Sequence, residues 1–198
     1  MKYYIADCHF SDDKARVMDK RPFDSVEQMN ETMIDRWNDT VKRNRDEIYI
    51  IGDFCVGKAE ETMDILRRLK GKKYLITGNH DMKFLHDKKL DGTLFEWIKP
   101  YAEIRDNNRK VVLSHYPIIC YNGQYYGNMS YMLYGHVHNT RDYNNVKRFV
   151  RESRKTVYGD DNLNLPCNLI NCFADFSDYR PMTLDMWINC EENRSCKV

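Results

Sequence analysis

Residues 3–9, YYIADCH, join an apolar run to the polar pair Asp7 and His9, and this pattern decides the fold. Further apolar runs end in four more polar blocks: Gly52-Asp53, Gly78-Asn79-His80-Asp81, His115 and Gly135-His136-Val137-His138. Continuous apolar runs of this length are typical of strands buried on both faces. They predict a layered α/β fold in which the polar blocks converge at the carboxyl ends of the strands.

The five blocks contain the donors that a pair of divalent metal ions requires. Two ions ~3.5–4 Å apart need a carboxylate between them, with neutral imidazoles and oxygen ligands on both sides. Asp7 and His9, like His136 and His138, lie two residues apart, which in extended chain directs both side chains to one face. Gly78 and Gly135 precede candidate ligands, where a residue without Cβ lets the backbone approach the site closely.

Two helices are predicted between the strands. A capping-box pattern at residues 25–28 begins an apolar repeat of three and four residues, which predicts a helix to about Arg45. A second helix is predicted over Ala59–Lys70, with Gly71 as its stop.

Further along the chain, residues 101–114 predict a hairpin that turns at Asn107 and Asn108. Asn168–Phe173 predicts another strand, and Thr183 is a candidate cap for a short last helix through Asn189. Residues 140–166 fit no rhythm of strands and helices. We treat them as an insertion within one domain spanning residues 1–198.

Composition narrows the class of protein. With 198 residues, 42% of them hydrophobic, the chain can bury one sizeable core, and its net charge of +1 is not that of a dedicated nucleic-acid binder. No apolar run approaches the roughly 18 residues of a membrane span, and a candidate ligand at Asp7 leaves no room for a signal peptide.

Seven cysteines without a CxxC pair indicate free thiols, so we expect a cytoplasmic protein. Cys8 and Cys55 could serve as soft metal ligands, but buried packing is the favoured interpretation.

The order D-x-H, GD, GNHD, H and GHxH over residues 7–138 resembles the calcineurin-like metallophosphoesterase superfamily. The resemblance implies a four-layer α/β/β/α sandwich that holds two divalent ions, for which manganese, iron, zinc or nickel would suit these donors. It implies one ion held by Asp7, His9 and His138, another held by Asn79, His115 and His136, and Asp53 bridging both.

The resemblance also implies a metal-dependent phosphoric ester hydrolase, in which a hydroxide held between the ions attacks phosphorus. His80 remains outside the implied ligand set. We interpret it as the general acid that protonates the leaving group, with Asp81 orienting its imidazole. Asn79, His80 and Tyr116 are the candidate substrate contacts. Aromatic residues 116–126 could form a lip over the metals or a partly buried cover.

Departures from the superfamily's patterns narrow the substrate. Protein phosphatases extend the second block into GDxVDRG, whereas residues 52–57 here contain no arginine. The chain is also too short for the added domain of the DNA-repair nucleases. We therefore predict a phosphodiesterase or phosphatase acting on a small, nucleotide-like phosphoester.

The alternative is a nuclease, or another enzyme acting on nucleic-acid ends, that uses residues 141–155. This segment has six basic and two acidic residues, with Tyr143 and Phe149 between them. Basic side chains can follow a phosphate backbone and aromatic rings can stack on bases. A solvated amphipathic segment explains the same pattern equally well. A non-catalytic scaffold is opposed by the complete set of donors, and no pattern indicates an oligomeric state.

Overall fold

The computed structural model describes residues 1–158, 163–164 and 166–195. In chain order its strands and helices are β1 (Lys2–Ile5), α1 (Asp13–Met18), α2 (Val26–Thr40), β2 (Glu47–Ile51), α3 (Ala59–Arg68), β3 (Lys72–Ile76), α4 (Met82–Leu85), β4 (Trp97–Lys99), β5 (Tyr101–Asp106), β6 (Arg109–Ser114), β7 (Ser130–Tyr134), α5 (Arg141–Lys155), β8 (Val157–Tyr158), β9 (Leu163–Asn164), β10 (Leu169–Asn171) and α6 (Leu184–Ser195). Short 3₁₀ turns lie at Gly92–Leu94, Gln124–Met129 and Ala174–Ser177.

Two four-stranded sheets form the centre of the molecule. The first has the order β1-β2-β3-β4, with all of its strands parallel. The second has the order β10-β7-β6-β5 and is parallel except for the β5–β6 hairpin. Because parallel strands end at the same edge of a sheet, the segments that leave β1, β2, β3, β6 and β7 can meet.

Three apolar clusters separate the layers. Side chains of α2 and α3, including Met33, Trp37 and Leu66, cover the outer face of the first sheet. A second cluster fills the space between the sheets and includes Trp187 of α6. Tyr143 and its neighbours on α5 cover the outer face of the second sheet. These layers confirm the predicted four-layer α/β/β/α sandwich.

The predicted elements are largely present, with differences at their ends. Ser25 caps α2, since its Oγ accepts a hydrogen bond from the Gln28 N–H at 3.2 Å. The helix stops at Thr40 rather than Arg45, because Val41 turns to extended backbone and is buried in the core. The hairpin turns at Asn107 and Asn108 as predicted, both in the left-handed region.

At the carboxyl end of the chain, the Thr183 Oγ1 accepts a hydrogen bond from the Met186 N–H at 3.3 Å, which confirms the predicted cap of α6. This helix continues to Ser195, beyond the predicted end at Asn189.

Residues 140–166, for which no strand or helix was predicted, contain the helix α5. Thr140 caps α5, which runs for 15 residues and directs Tyr143, Val146 and Val150 towards the second sheet. These three residues recur at helical spacing, so the amphipathic pattern was present in the sequence, although most of the segment is polar. Residues 159–162 and 165 lie outside the described residues. The assignment of one domain with an insertion here stays a prediction.

Among the described residues, the helices are too short or too polar to cross a bilayer.

Candidate metal centre

Segments after five strands bring the predicted polar blocks to one place. Two groups of three residues form there, and within each group one donor atom per residue lies within 4.8 Å of the others. We call Asp7, His9 and His138 the first half of the centre. Asp53, His115 and His136 form the second half, which Asn79 joins through its side-chain oxygen.

The first half lies inside the protein. Asp7 is fully buried, and His9 and His138 are 2% and 4% exposed. The Nε2 atoms of these two histidines are 3.2 Å apart, and the His138 Nε2 lies 3.8 Å from the Asp7 Oδ1. These atoms face a common point, which suits them to hold a cation between them.

The second half is more open. The Asn79 Oδ1 lies 3.1 Å from the His115 Nε2 and 3.0 Å from the His136 Nδ1. His115 is buried, whereas Asn79 and His136 are exposed. The outward ring nitrogen of His115, Nδ1, lies 3.0 Å from the carbonyl oxygen of Ile51, which leaves its Nε2 to face the centre.

Asp53 lies between the halves. Its Oδ2 is 3.7 Å from the His9 Nε2 and 3.2 Å from the His115 Nε2. Burial opposes the charged forms of both Asp53 and His115, but the attraction between the two side chains prevails. The pKa of Asp53 is lowered to about 2 and the pKa of His115 is raised to about 9. A carboxylate in this position can reach the donor atoms of both halves.

The backbone of the centre is strained. Five candidate ligands have left-handed φ angles of 45–69°: Asp7, His9, Asp53, His136 and His138. Non-glycine residues rarely adopt this conformation, which costs about 1–3 kcal/mol each. Strain concentrated on the candidate ligands indicates that the surrounding fold, rather than local preference, aims these side chains.

Two glycines allow the blocks to pack together. A Cβ atom on Gly78 would overlap the carboxylate of Asp53, and one on Gly135 would lie 2.7 Å from the Asp7 Oδ2. The predicted close approach at both glycines is therefore confirmed.

A family model for calcineurin-like phosphoesterases matches residues 3–177. The chain belongs to this family. Its membership and the two groups of donors together support a metal-dependent phosphoesterase.

Relatives of this phosphoesterase include the uncharacterized protein MJ1445 of Methanocaldococcus jannaschii. It is 28% identical over 192 residues, which cover 96% of this chain and 90% of that protein. Among solved structures, the protein of unknown function AQ665 from Aquifex aeolicus has a TM-score of 0.59 at 22% identity, covering 92% of this chain and 94% of its own. A single mutant of Vps29 from Entamoeba histolytica has a TM-score of 0.37 at 18% identity, covering 70% of this chain and 64% of its own.

Metal ions suit the donors of this phosphoesterase chemically. The outward nitrogens of His9, His115 and His138 each lie within 3.0 Å of an oxygen acceptor, which leaves their Nε2 atoms for a ligand. Neutral imidazoles with carboxylate and amide oxygens suit divalent transition metals.

Asp81 acts differently from the expectation that it orients His80. Its carboxylate accepts hydrogen bonds from the backbone N–H groups of Gly78, Asp53 and Phe54 at 2.7–3.0 Å. Asp81 therefore joins the backbone of the Asp53 segment to that of the Asn79 segment, and these hydrogen bonds do not involve the His80 ring. His80 is exposed, and its backbone N–H donates to the Asp53 Oδ1 at 2.8 Å.

Other predicted residues are distributed around the phosphoesterase centre. Tyr116 is 50% exposed and packs with its ring centroid 4.5 Å from that of His136. Tyr121 belongs to the core instead, so the aromatic lip cannot include it. Cys8 and Cys55 are fully buried, and burial raises the pKa of both thiols, as expected of packing residues.

Sequence reasoning missed three residues that contact the ligands or their backbone: Asp12, Asp19 and Arg21. A usable signal was present, because a metal-binding histidine usually donates its other N–H to a carboxylate, and two aspartates follow His9 closely. Only the folded chain shows which carboxylate reaches which ring.

Proposed function

We propose that the protein hydrolyses a small, nucleotide-like phosphodiester or phosphomonoester with the help of two divalent metal ions. The observation that carries this proposal is the position of the Asp53 carboxylate between two converging groups of donors. One carboxylate that reaches both halves suits a pair of ions acting on the same phosphoryl group.

The side chains have separate roles in this proposal. Two bound ions would supply an activated water molecule and stabilise charge on the phosphoryl oxygens. Asp7, His9 and His138 would hold one ion, and Asn79, His115 and His136 would hold the other. Asp53 would contact both.

His80 would transfer a proton to the leaving-group oxygen. It is exposed, and its ring centroid lies 5.2 Å from that of His9, so it can face a substrate at the centre.

Two features favour a nucleotide-like substrate. The exposed Tyr116 ring offers a flat apolar face beside His136, which suits a base. The segment after Gly52 also lacks the arginine found in protein phosphatases of the superfamily.

Six free cysteines among the described residues support a reducing, cytoplasmic setting.

The test combines metal analysis with activity measurements. Protein stripped with a chelator should be inactive, and activity should return as Mn²⁺ approaches two ions per chain. The substrates are bis-p-nitrophenyl phosphate, p-nitrophenyl phosphate and a series of cyclic and linear nucleotides. Full activity in the stripped protein, or with one ion per chain, would contradict the two-metal proposal.

A second candidate function, action on nucleic acid, is favoured by a groove along α5. The groove has a volume of about 650 Å³, and its lining contains apolar side chains, the acidic Glu191 and six basic residues: Arg141, Lys147, Arg148, Arg151, Arg154 and Lys155. Arg141 is three residues from His138, so the groove begins close in sequence to the metal centre. Spaced cations along a helix suit a chain of phosphates.

Base stacking by this segment is not supported. Tyr143 is 3% exposed, and Phe149 packs against the same core cluster as Tyr143. The alternative of base stacking by these two rings is therefore not favoured, and only the basic side chains support the second candidate.

A triple variant, Arg148→Ser, Arg151→Ser and Lys155→Ser, tests the groove. Arg154 is kept because it donates hydrogen bonds to Cys167 and Asn168. If nucleic acid is the substrate, the Michaelis constant for an oligonucleotide should rise at least tenfold and its salt dependence should weaken, because fewer counterions are released.

Two controls accompany this test. Bis-p-nitrophenyl phosphate should be hydrolysed at an unchanged rate. A second triple variant, Arg67→Ser, Lys70→Ser and Lys88→Ser, removes three exposed charges outside the groove. A change of less than twofold for the oligonucleotide would remove the second candidate.

A further inference from the structure

Two aspartates bracket the short helix α1, and each contacts a histidine of the first half. Asp12 caps the amino end, where its Oδ1 accepts hydrogen bonds from the backbone N–H groups of Lys14 and Ala15. Its Oδ2 lies 3.0 Å from the His9 Nδ1. Asp12 is thus fixed by the start of the helix while it fixes the imidazole.

Asp19 occupies the other end of α1. Its two carboxylate oxygens lie 2.9 and 3.0 Å from the His138 Nδ1. His138 comes from the segment after β7 and so belongs to the second sheet, whereas Asp19 follows β1 of the first. This contact therefore joins the two sheets at the metal centre.

Arg21 contacts both Asp19 and the backbone that carries Asp7. Its side chain is fully buried, and its guanidinium donates to the backbone oxygens of Cys8 and Asp7 at 2.7 and 2.9 Å. The same group lies 3.4 Å from the Asp19 Oδ2 and 3.2 Å from the Asp175 Oδ1. A planar guanidinium can contact several acceptors in fixed directions, which a lysine ammonium cannot. The two carboxylates also offset a buried positive charge that would otherwise repel a cation nearby.

The second half is supported differently, because Asp81 binds the backbone of the Asp53 and Asn79 segments and not an imidazole. The outward nitrogen of His115 lies 3.0 Å from a neutral carbonyl oxygen, whereas the Asp7 Oδ1 is 3.9 Å away, and His136 and Asn79 are exposed. In the described part of the chain His136 pairs with no carboxylate, whereas the outward nitrogens of His9 and His138 each lie within 3.0 Å of one. Among the described residues, the carboxylates at hydrogen-bond distance from an outward ring nitrogen thus lie on one side of the centre.

We propose that Asp12, Asp19 and Arg21 are positioning residues that make the first half the tighter of two metal positions, so that the protein carries one resident ion and one exchangeable ion. The inference rests on the proposed two-metal function. A carboxylate on the outward nitrogen fixes the tautomer and the direction of the ring and makes the inward nitrogen a stronger donor. A buried, pre-arranged set of donors also loses less conformational freedom when an ion binds.

The experiment uses Mn²⁺ alone as the probe. The full chain is stripped with a chelator and titrated with Mn²⁺, and the free ion is measured by electron paramagnetic resonance. The wild-type protein should bind two ions in two classes, with dissociation constants separated by at least about tenfold, the lower end of the effect of such supporting contacts. Thermal unfolding of each stripped protein checks that the fold is retained.

The variants assign the classes. Asp19→Asn should weaken the tight class about 10–100-fold and leave the weak class unchanged. Arg21→Lys keeps the charge but loses the planar guanidinium that contacts several acceptors at once, so it should weaken the same class to a smaller degree. Asp13→Asn is the matched control, because it removes an exposed carboxylate of the same helix that pairs with Arg16 and touches no candidate ligand. It should bind both ions like the wild type.

If an active wild-type protein binds two Mn²⁺ ions with equal affinity, this inference is overturned and the proposed function stays intact. Equal weakening of both classes by Asp19→Asn and Arg21→Lys would also overturn it. If the wild-type chain binds no Mn²⁺, the two-metal function fails together with the inference.

Discussion

The two halves of the metal centre differ in burial and in what lies behind their ligands. The first half is buried, and two aspartates hold its histidines at their outward nitrogens. The second half presents Asn79, His136 and the neighbouring His80 on the surface. This difference supports our proposals that the first half holds its ion more tightly and that the second half faces the substrate. The difference teaches that donors of the same chemical type can be buried and supported on one side of a site and open to solvent on the other.

Removing the residue between the halves should have the largest effect. Asp53→Asn should abolish turnover and reduce bound metal in both halves, because an amide has one acceptor oxygen and no charge. The measurements are the hydrolysis rate of bis-p-nitrophenyl phosphate and the metal content after dialysis. Asp64→Asn, an exposed carboxylate on α3 paired with Arg67, is the control and should behave as wild type. Full activity with two ions retained in Asp53→Asn would break the view that this carboxylate joins the halves.

His80→Ala should affect the chemistry on the open side without affecting metal retention. We expect metal content to stay at the wild-type level and the rate to fall roughly 10²–10⁴-fold, the usual contribution of proton transfer. The loss should be greatest for alkoxide leaving groups and smaller for p-nitrophenolate, which needs little protonation. His86→Ala removes an exposed histidine elsewhere and serves as the control. An equal loss for both kinds of leaving group would assign His80 to positioning instead of proton transfer.

Tyr116→Ala should have a smaller effect, confined to the open half. Loss of the ring beside His136 should raise the Michaelis constant for nucleotides about tenfold, which corresponds to the upper range of an aromatic contact. The Michaelis constant for p-nitrophenyl phosphate should change less, because the contacts of its phosphate with the metals are unaltered. Tyr116→Phe keeps the ring and removes only the hydroxyl, which lies 3.5 Å from the Asn79 Oδ1, so it should resemble wild type. A similar loss in both variants would assign the effect to the hydroxyl.

The smallest expected effect is on the pH dependence of stability in the metal-free protein. The charged Asp53 stabilises the fold above its unfolded pKa of about 3.9, and this contribution is lost as pH falls through about 2. The charged His115 stabilises the fold below its unfolded pKa of about 6.5, and this contribution is lost as pH rises through about 9. The difference in melting temperature between wild type and Asp53→Asn should therefore be greatest near pH 4–6.5 and smaller above pH 9. A constant difference across this range would show that the pair adds no stability.

Much of the fold could be predicted because local signals agreed with the tertiary structure. Buried parallel strands need continuous apolar runs, so the strands that position the polar blocks were visible in the chain. Gly78 and Gly135 were informative because a Cβ would collide with Asp53 or Asp7. The helix α5 was missed because most of its residues are polar, although Tyr143, Val146 and Val150 follow the helical period.

By itself, the sequence determined which donors are present, their order along the chain and the layered fold that gathers them. Only the tertiary structure decided how the two halves differ. Asp19 meets His138 across 119 positions of chain, and Arg21 binds the backbone beside Asp7 through a buried guanidinium. No local periodicity records such contacts, because they depend on how the loops of two sheets pack. The left-handed backbone at five candidate ligands has the same origin, since its local cost is outweighed only by interactions made in the folded protein.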